Sequence, residues 1–347
     1  MRLTEGKAFA HVPLDVYFII TRICNFNCSY CIREPMTSLP QEMSVDLFNS
    51  ICNSFQRLKI RKLIITGGEP LLHPKFDEII KRIPDSYDIV VCTNGWLLKD
   101  KLLKITEMRK CDILFQISLD AVGDNHDKIV NLPGAFKEVI QGIQFANKHN
   151  IKPIISTTVG HLDASAIIQL FQLLKEFNID TWKISAEMPC SRSNGENMLS
   201  DAVGWNVLVK TVHSLNGWGG IQKIVCDSMF NFANSHLNQQ LSSLAKELAG
   251  CGAGKQKVYF RTDGSISLCP LLDRYKVYPP QEDFYSWWLY SKDLLEFREF
   301  PATRLDECSD CEWLEICKGG CHGASLYKYN SIFHADPRCP MAKSKKR

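Results

Sequence analysis

The spacing of the cysteines constrains this chain more than any other feature. Cys24, Cys28 and Cys31 form a Cys-x3-Cys-x2-Cys loop, CNFNCSYC, directly after an apolar run. A second array runs from Cys251 to Cys339 and contains Cys308-x2-Cys311-x5-Cys317-x3-Cys321. The chain has 15 cysteines in 347 residues. Disulfide scaffolds are short and secreted, but here Glu5, Lys7 and Asp15 break up any signal-like apolar stretch. Thiolate metal ligation in a reducing, cytoplasmic compartment is therefore the expectation. A net charge of +3 argues against nucleic acid as a partner, and no apolar run is long enough for a membrane span.

Up to about residue 215, short strand-like runs alternate with segments of helical periodicity. The runs are Val16–Thr21, Lys62–Thr66, Asp88–Thr93, Ile113–Leu119, Pro153–Val159 and Trp182–Met188. Leu47, Ile51, Phe55 and Leu58 show the helical spacing between the first two. Six such units predict a parallel sheet, open or closed into a partial barrel, with chemistry at the C-terminal strand ends. The expected organisation is a barrel over 1–220, a helical linker over 221–250 and a cysteine-rich domain over 251–342. A basic tail follows at 343–347. The third region is turn-rich, holds seven of the 15 cysteines, and is expected to be held by metal more than by a core.

Iron–sulfur clusters are normally held by four cysteines. A loop offering three, Cys24, Cys28 and Cys31, leaves one iron open for substrate; the alternative is a zinc site with a distant fourth ligand. Thr66-Gly-Gly-Glu-Pro70 ends the second strand, Thr93-Asn-Gly95 the third and Ser118-Leu-Asp120 the fourth.

With these motifs in these places, the first 215 residues or so resemble the radical S-adenosylmethionine (SAM) superfamily. That resemblance implies a partial (β/α)6 barrel and a 4Fe–4S cluster whose open iron chelates SAM. It implies reductive cleavage of SAM to a 5′-deoxyadenosyl radical that abstracts a substrate hydrogen. It assigns Gly67, Gly68, Glu69 and Pro70 to the methionine amino group and Tyr30 to adenine. Ser118, Asn94 and Asp120 fall near the ribose. Relatives often carry an Arg near the SAM carboxylate where this chain has Val130, within His126-Asp-Lys-Ile-Val-Asn131. Lys128 or Arg192 is the candidate replacement.

The second array, with four residues between Gly264 and Cys269 and with Gly319-Gly320 before Cys321, resembles the SPASM domain, which carries auxiliary 4Fe–4S clusters. The resemblance implies an outer cluster on Cys308, Cys311, Cys317 and Cys339. It implies an inner one on Cys251, Cys269 and Cys321, with a fourth ligand from Cys226, another group or the substrate. A zinc ribbon is the alternative. Cys52, Cys92 and Cys111 read as core or structural residues. Cys190, after the sixth strand, and Cys226 are candidate hydrogen-atom donors to a substrate radical.

Many enzymes with such a domain oxidise, cross-link or epimerise ribosomally made peptides, which is the leading expectation. Only 23 residues precede Cys24, so leader recognition would fall to a separate leader-binding protein or another surface. A flavodoxin or ferredoxin is the expected electron donor. The alternatives are a sugar or cofactor-precursor dehydrogenase or epimerase, anaerobic sulfatase maturation, and an iron–sulfur electron-transfer protein. Sulfatase maturases typically have an Asp after the cysteine matching Cys269; here Pro270 stands there, with Asp273 the nearest acid.

Overall fold

The computed structural model describes residues 10–32, 40–55, 58, 60, 62–108, 113–160, 164–190, 202–227, 250–272, 276–277, 283–300, 302–339 and 342. Seven strands and their helices alternate first: β1 (Asp15–Thr21), α1 (Val45–Ser54), β2 (Lys62–Gly67), α2 (Phe76–Arg82), β3 (Asp88–Thr93), α3 (Leu98–Glu107) and β4 (Ile113–Ser118). Two helices, α4 (Asp124–Val130) and α5 (Ala135–Lys148), precede β5 (Ile154–Val159). Then come α6 (Ala164–Leu174), β6 (Ile179–Ala186), α7 (Ala202–Ser214) and β7 (Ile221–Asp227). The remainder holds β8 (Lys257–Phe260), β9 (Ile266–Ser267), β10 (Lys276–Val277), α8 (Phe284–Tyr290), α9 (Lys292–Arg298), α10 (Leu314–Cys317) and α11 (His322–Tyr329).

All ten strands form one sheet in the order β10-β9-β8-β1-β2-β3-β4-β5-β6-β7. From β8 to β7 every pairing is parallel; β9 and β10 add an antiparallel edge. The curved sheet is a partial barrel with helices outside. Its strands sort their side chains by the pleat. On β1, Val16, Phe18 and Ile20 are buried under the helices, whereas Asp15, Tyr17 and Ile19 line the lumen. On β2, Leu63 and Ile65 face out, and Lys62, Ile64 and Thr66 face in. The apolar face drives the packing, and the inward face is left to define a cavity of about 630 Å³.

One expectation about the second half needs correction. Residues 221–227, assigned to a helical linker, are strand β7, paired with β6 from Ile179↔Ile221 to Ser185↔Asp227. Ile221, Ile224 and Val225 are good strand residues, and exposed Gln222 and Lys223 mask the pattern. The helix expected over 228–249 lies outside the described residues, as does the basic tail 343–347. The C-terminal region, expected to rest on metal more than on a core, also contributes to the main core. Strand β8 pairs parallel with β1, and Val258, Phe260, Leu268, Phe284 and Trp288 belong to the main core. Phe18 meets Phe48 at 4.6 Å and Phe260 at 5.2 Å, and Phe55 meets Phe284 at 5.8 Å. One aromatic group thus joins both ends of the chain.

Candidate functional site

Parallel strands bring the loops after β1, β2, β3 and β4 to one rim, the C-terminal mouth of the lumen. The Cys24–Cys31 loop lies there, held from two sides. The Phe26 amide donates to Cys24 Sγ at 3.4 Å. Asn94, after β3, reaches the same sulfur at 4.0 Å and donates to Asn25 Oδ1 at 2.7 Å. On the other side, the Asn27 and Ser29 amides donate to the carbonyls of Val130 and Ile129, each at 3.0 Å. Phe26, Val130 and Ala135 form a small apolar cluster against Cys24, Cys28 and Trp96. Val130, standing where relatives often have an Arg, is thus apolar support for the loop. Lys128 is exposed, and Arg192 and Cys111 lie outside the described residues.

The three thiols sense one another. Burial pushes the Cys28 thiol up to about 12, with Asp120, Cys31 and Cys24 adding to the rise. A metal must displace such a proton to bind. Cys31 lines the lumen. Among the described residues, no three His, Cys, Asp or Glu side chains are grouped to hold a single ion. Three thiolates on one zinc would sit only about 3.8 Å apart, whereas a cuboidal cluster spreads its ligands over separate irons. A three-thiol loop with one member facing the cavity fits a cluster with an open iron.

The turn after β2 explains its glycines. A Cβ on Gly67, at φ +152°, would lie 2.3 Å from the Thr21 carbonyl oxygen, so β1 and β2 can approach here only without a side chain. The Gly68 amide donates to that same oxygen at 2.8 Å. Pro70 opens a short 3-10 turn. The Glu69 carboxylate points inward and is fully buried. It accepts from the Leu71 amide (3.0 Å), the Thr93 hydroxyl (2.8 Å) and the Asn94 amide (2.6 Å). Burial raises its pKa to about 7 despite those donors. Its side chain fixes the turn, and Gly67 lines the lumen.

After β4, Asp120 is fully buried and accepts from the Tyr30 hydroxyl at 2.8 Å and the Thr158 amide at 2.8 Å. Burial raises its pKa to about 6. Tyr30 is thereby tied to the strand end expected to face the ribose. Ser118 lies on the same face of β4 as Gln116, which lines the lumen.

The C-terminal cysteines sort into two neighbourhoods. Burial raises the Cys317 thiol, and Cys339, Asp336, Cys308 and Cys311 raise it further. Burial also raises Cys321, with Arg338 opposing and Asp336, Cys251 and Cys269 adding to the rise. Lys318, Gly319 and Gly320 all have φ between 51° and 88°, a left-handed reversal that sends Cys317 to one set and Cys321 to the other. Asp336 closes the reversal: its carboxylate accepts from the Cys321 amide at 3.0 Å and pairs with Arg338 at 2.7 Å. Arg338 also reaches Met188 Sδ at 3.1 Å, just past β6. This Asp336–Arg338 clamp escaped sequence reasoning, because two charges near a chain end read as solvated.

Three cysteines depart from expectation. Cys92 lines the lumen beside Val90; a run apolar on both faces hides which residues turn inward. Cys190 is buried, its thiol 3.5 Å from the Cys31 carbonyl, so it backs the loop and does not open onto the mouth. Cys226 pairs in register with Ile184, on the face opposite Lys183 and Val225, which line the lumen. The pleat thus points it outward, away from both a donor position and the inner set. Also missed were the lumenal basic residues Arg22, Lys62, Lys183 and Arg261. For Lys62 and Lys183 the signal was the alternation within β2 and β6.

Residues 18–187 match the model of the Radical SAM superfamily. The AdoMet-dependent heme synthase of Methanosarcina barkeri is 23% identical, over 98% of this chain and 99% of that protein. The sporulation killing factor maturation protein SkfB of Bacillus subtilis is 21% identical, over 78% of this chain and 63% of that protein. Streptococcus suis SuiB bound to S-adenosylmethionine superposes with a TM-score of 0.78 at 19% identity, over 97% of this chain and 79% of that one. SuiB is also known bound to a precursor peptide, SuiA.

Proposed function

This chain is a member of the radical SAM superfamily, and on that premise we propose that it abstracts hydrogen from a ribosomally made peptide, oxidising, cross-linking or epimerising it. The observation that carries the reading is the three-thiol loop at the mouth of the lumen, with Cys31 facing the cavity. In this reading Cys24, Cys28 and Cys31 hold a 4Fe–4S cluster. Bound there, cluster and SAM would supply one electron and a homolytic carbon–sulfur cleavage. The Gly67–Gly68 backbone, Asn94, Tyr30, Ser118 and Asp120 then orient SAM, while the lumen keeps water from the reacting carbon. Cys308, Cys311, Cys317 and Cys339 would hold one auxiliary cluster. Cys251, Cys269 and Cys321 would hold another, giving an outlet for the electron left after hydrogen abstraction.

Peptide modification is supported by the likeness to SkfB and by the fold match, over 96% of this chain, to SuiB, a protein seen with a precursor peptide. A second reading, a small carboxylate-rich substrate, is favoured by the basic lumen and by the heme synthase match along nearly the whole chain. The test is to incubate the reconstituted protein, SAM and reductant with peptides encoded beside its gene. A peptide lighter by a pair of hydrogens, or deuterated at one carbon in heavy water, is expected. Unchanged peptides alongside turnover of a small acid would replace the first reading by the second.

A further inference from the structure

A buried lysine stands among the C-terminal cysteines. Lys255 is 2% exposed, as enclosed as the core aromatics. Its backbone is fully used: the amide donates to the Gly252 carbonyl at 3.1 Å, and the carbonyl accepts from the Ala10 amide at 3.0 Å. Its ammonium has no hydrogen-bond or ion-pair partner among the described residues. A cation taken out of water is costly unless an anion meets it. The surrounding segments fix where that anion belongs. Lys255 sits in the tight turn between Cys251 and β8, where the Gly252 carbonyl also accepts from the Gln256 amide at 3.2 Å. A Cβ on Gly250, beside Cys251, would lie 3.1 Å from the Cys317 carbonyl oxygen. One on Gly254 would lie 3.7 Å from the side chain of Leu268, which precedes Cys269. One on Gly323 of α11 would lie 2.5 Å from Leu271 Cβ, and Cys321 caps the same helix. The Lys255 turn, the Cys269 segment and the start of α11 are thus packed on one another. Burial lowers the Lys255 pKa to about 8, Lys318 adds to the fall, and Cys251 opposes it. Arg338, a buried cation near the same thiols, is already paired with Asp336.

We propose that Lys255 is the counter-charge of the inner auxiliary cluster and raises that cluster's reduction potential. This rests on the reading above, in which Cys251, Cys269 and Cys321 hold one four-iron cluster and Cys308, Cys311, Cys317 and Cys339 another. A four-iron cluster on thiolates is anionic, and one-electron reduction adds a further negative charge. A fixed ammonium nearby therefore favours the reduced form over the oxidised one. Lys255 forms no bond and moves no proton. The electron leaves the substrate radical, whose carbon is oxidised, and arrives on the inner set, which is reduced. A lysine buried for packing alone would leave the potential where it is, so the two roles are separable.

The test is a potentiometric titration of the full chain, reconstituted anaerobically without SAM and followed by electron paramagnetic resonance. The C-terminal signals are those that survive in C24A/C28A/C31A. In K255M one of them is expected to titrate about 59 mV lower, a tenfold loss in the equilibrium constant for one-electron reduction, while the other stays in place. K255R keeps the charge and should titrate with the unmodified protein. If K255M does not retain its iron, K255Q is titrated in its place. Loss of the same four iron from K255M and K255Q, with retention in K255R, also upholds the counter-charge; loss from all three marks a packing role and overturns it. Midpoints unmoved in the neutral variants, equal shifts of both signals, or a drop of the same size in K255R would overturn it as well. Iron content and signal count separate the two claims. Fewer than two four-iron signals in C24A/C28A/C31A defeats the two-cluster reading and the proposal with it, whereas two signals with unmoved midpoints defeat the proposal alone.

Discussion

The two cysteine regions are built by opposite means. At the mouth, a short loop with one thiol facing the cavity is held by neutral hydrogen bonds from Asn94, Asn27 and Ser29 and by the Phe26–Val130 contact. In the C-terminal array, the thiols fall into two sets, separated by a left-handed reversal and locked by a buried ion pair, Asp336–Arg338. The first region leaves room for a substrate; the second spends charge and left-handed backbone on holding two sets apart. The contrast suits a reactive centre beside stores for electrons.

The largest expected effect breaks the comparison at the mouth. C24A/C28A/C31A should abolish SAM cleavage while the iron of the C-terminal sets remains; cleavage and iron content measured on one preparation check it. Next, Asp336→Ala would take the carboxylate from buried Arg338, at a cost of about 3–5 kcal/mol. Denaturant unfolding should show the loss, with Asn94→Ala at the mouth costing clearly less; equal costs would erase the contrast drawn here. Tyr30→Phe removes the donor to Asp120, 2.8 Å away. A loss of about 1.5–3 kcal/mol is expected, with the Asp120 pKa rising further, which carboxylate-resolved NMR titration can follow.

The smallest effect concerns Glu69. Its pKa is raised from 4.5 to about 7 by burial, so the folded state holds a proton that the unfolded chain releases. Its stabilising contribution is complete below pH 4.5 and is lost as the pH rises to about 7. Glu69→Gln should flatten that slope in unfolding measured across this window. The amide would also turn a donor toward the Leu71 or Asn94 amide, costing about 1–3 kcal/mol.

Much of the fold was legible because buried parallel strands are written as β-branched runs; Asp88–Thr93 has the same limits in sequence and structure. Strand β7 was not, since Gln222 and Lys223 interrupt its pattern, nor was β8, only four residues long. The motifs at the strand ends were legible by spacing, and the structure gathers Cys24, Cys28, Cys31, Tyr30, Glu69, Asn94 and Asp120 around one rim. What spacing does not encode is parity. Whether Cys92 or Cys226 turns inward depends on which face of the strand the helices cover, and an apolar run looks alike from both sides. A charged pair distant from any motif, Asp336–Arg338, becomes visible only in the folded chain.

The central claim is that the mouth loop performs radical chemistry, with two C-terminal clusters taking up the electron left after hydrogen abstraction. The most direct measurement is anaerobic reconstitution, counting iron and sulfide per chain, followed by reductant and SAM with assay of 5′-deoxyadenosine. The account predicts about 12 iron per chain and 5′-deoxyadenosine in the unmodified protein. Zinc in place of iron, or a full complement of iron without 5′-deoxyadenosine, would contradict it.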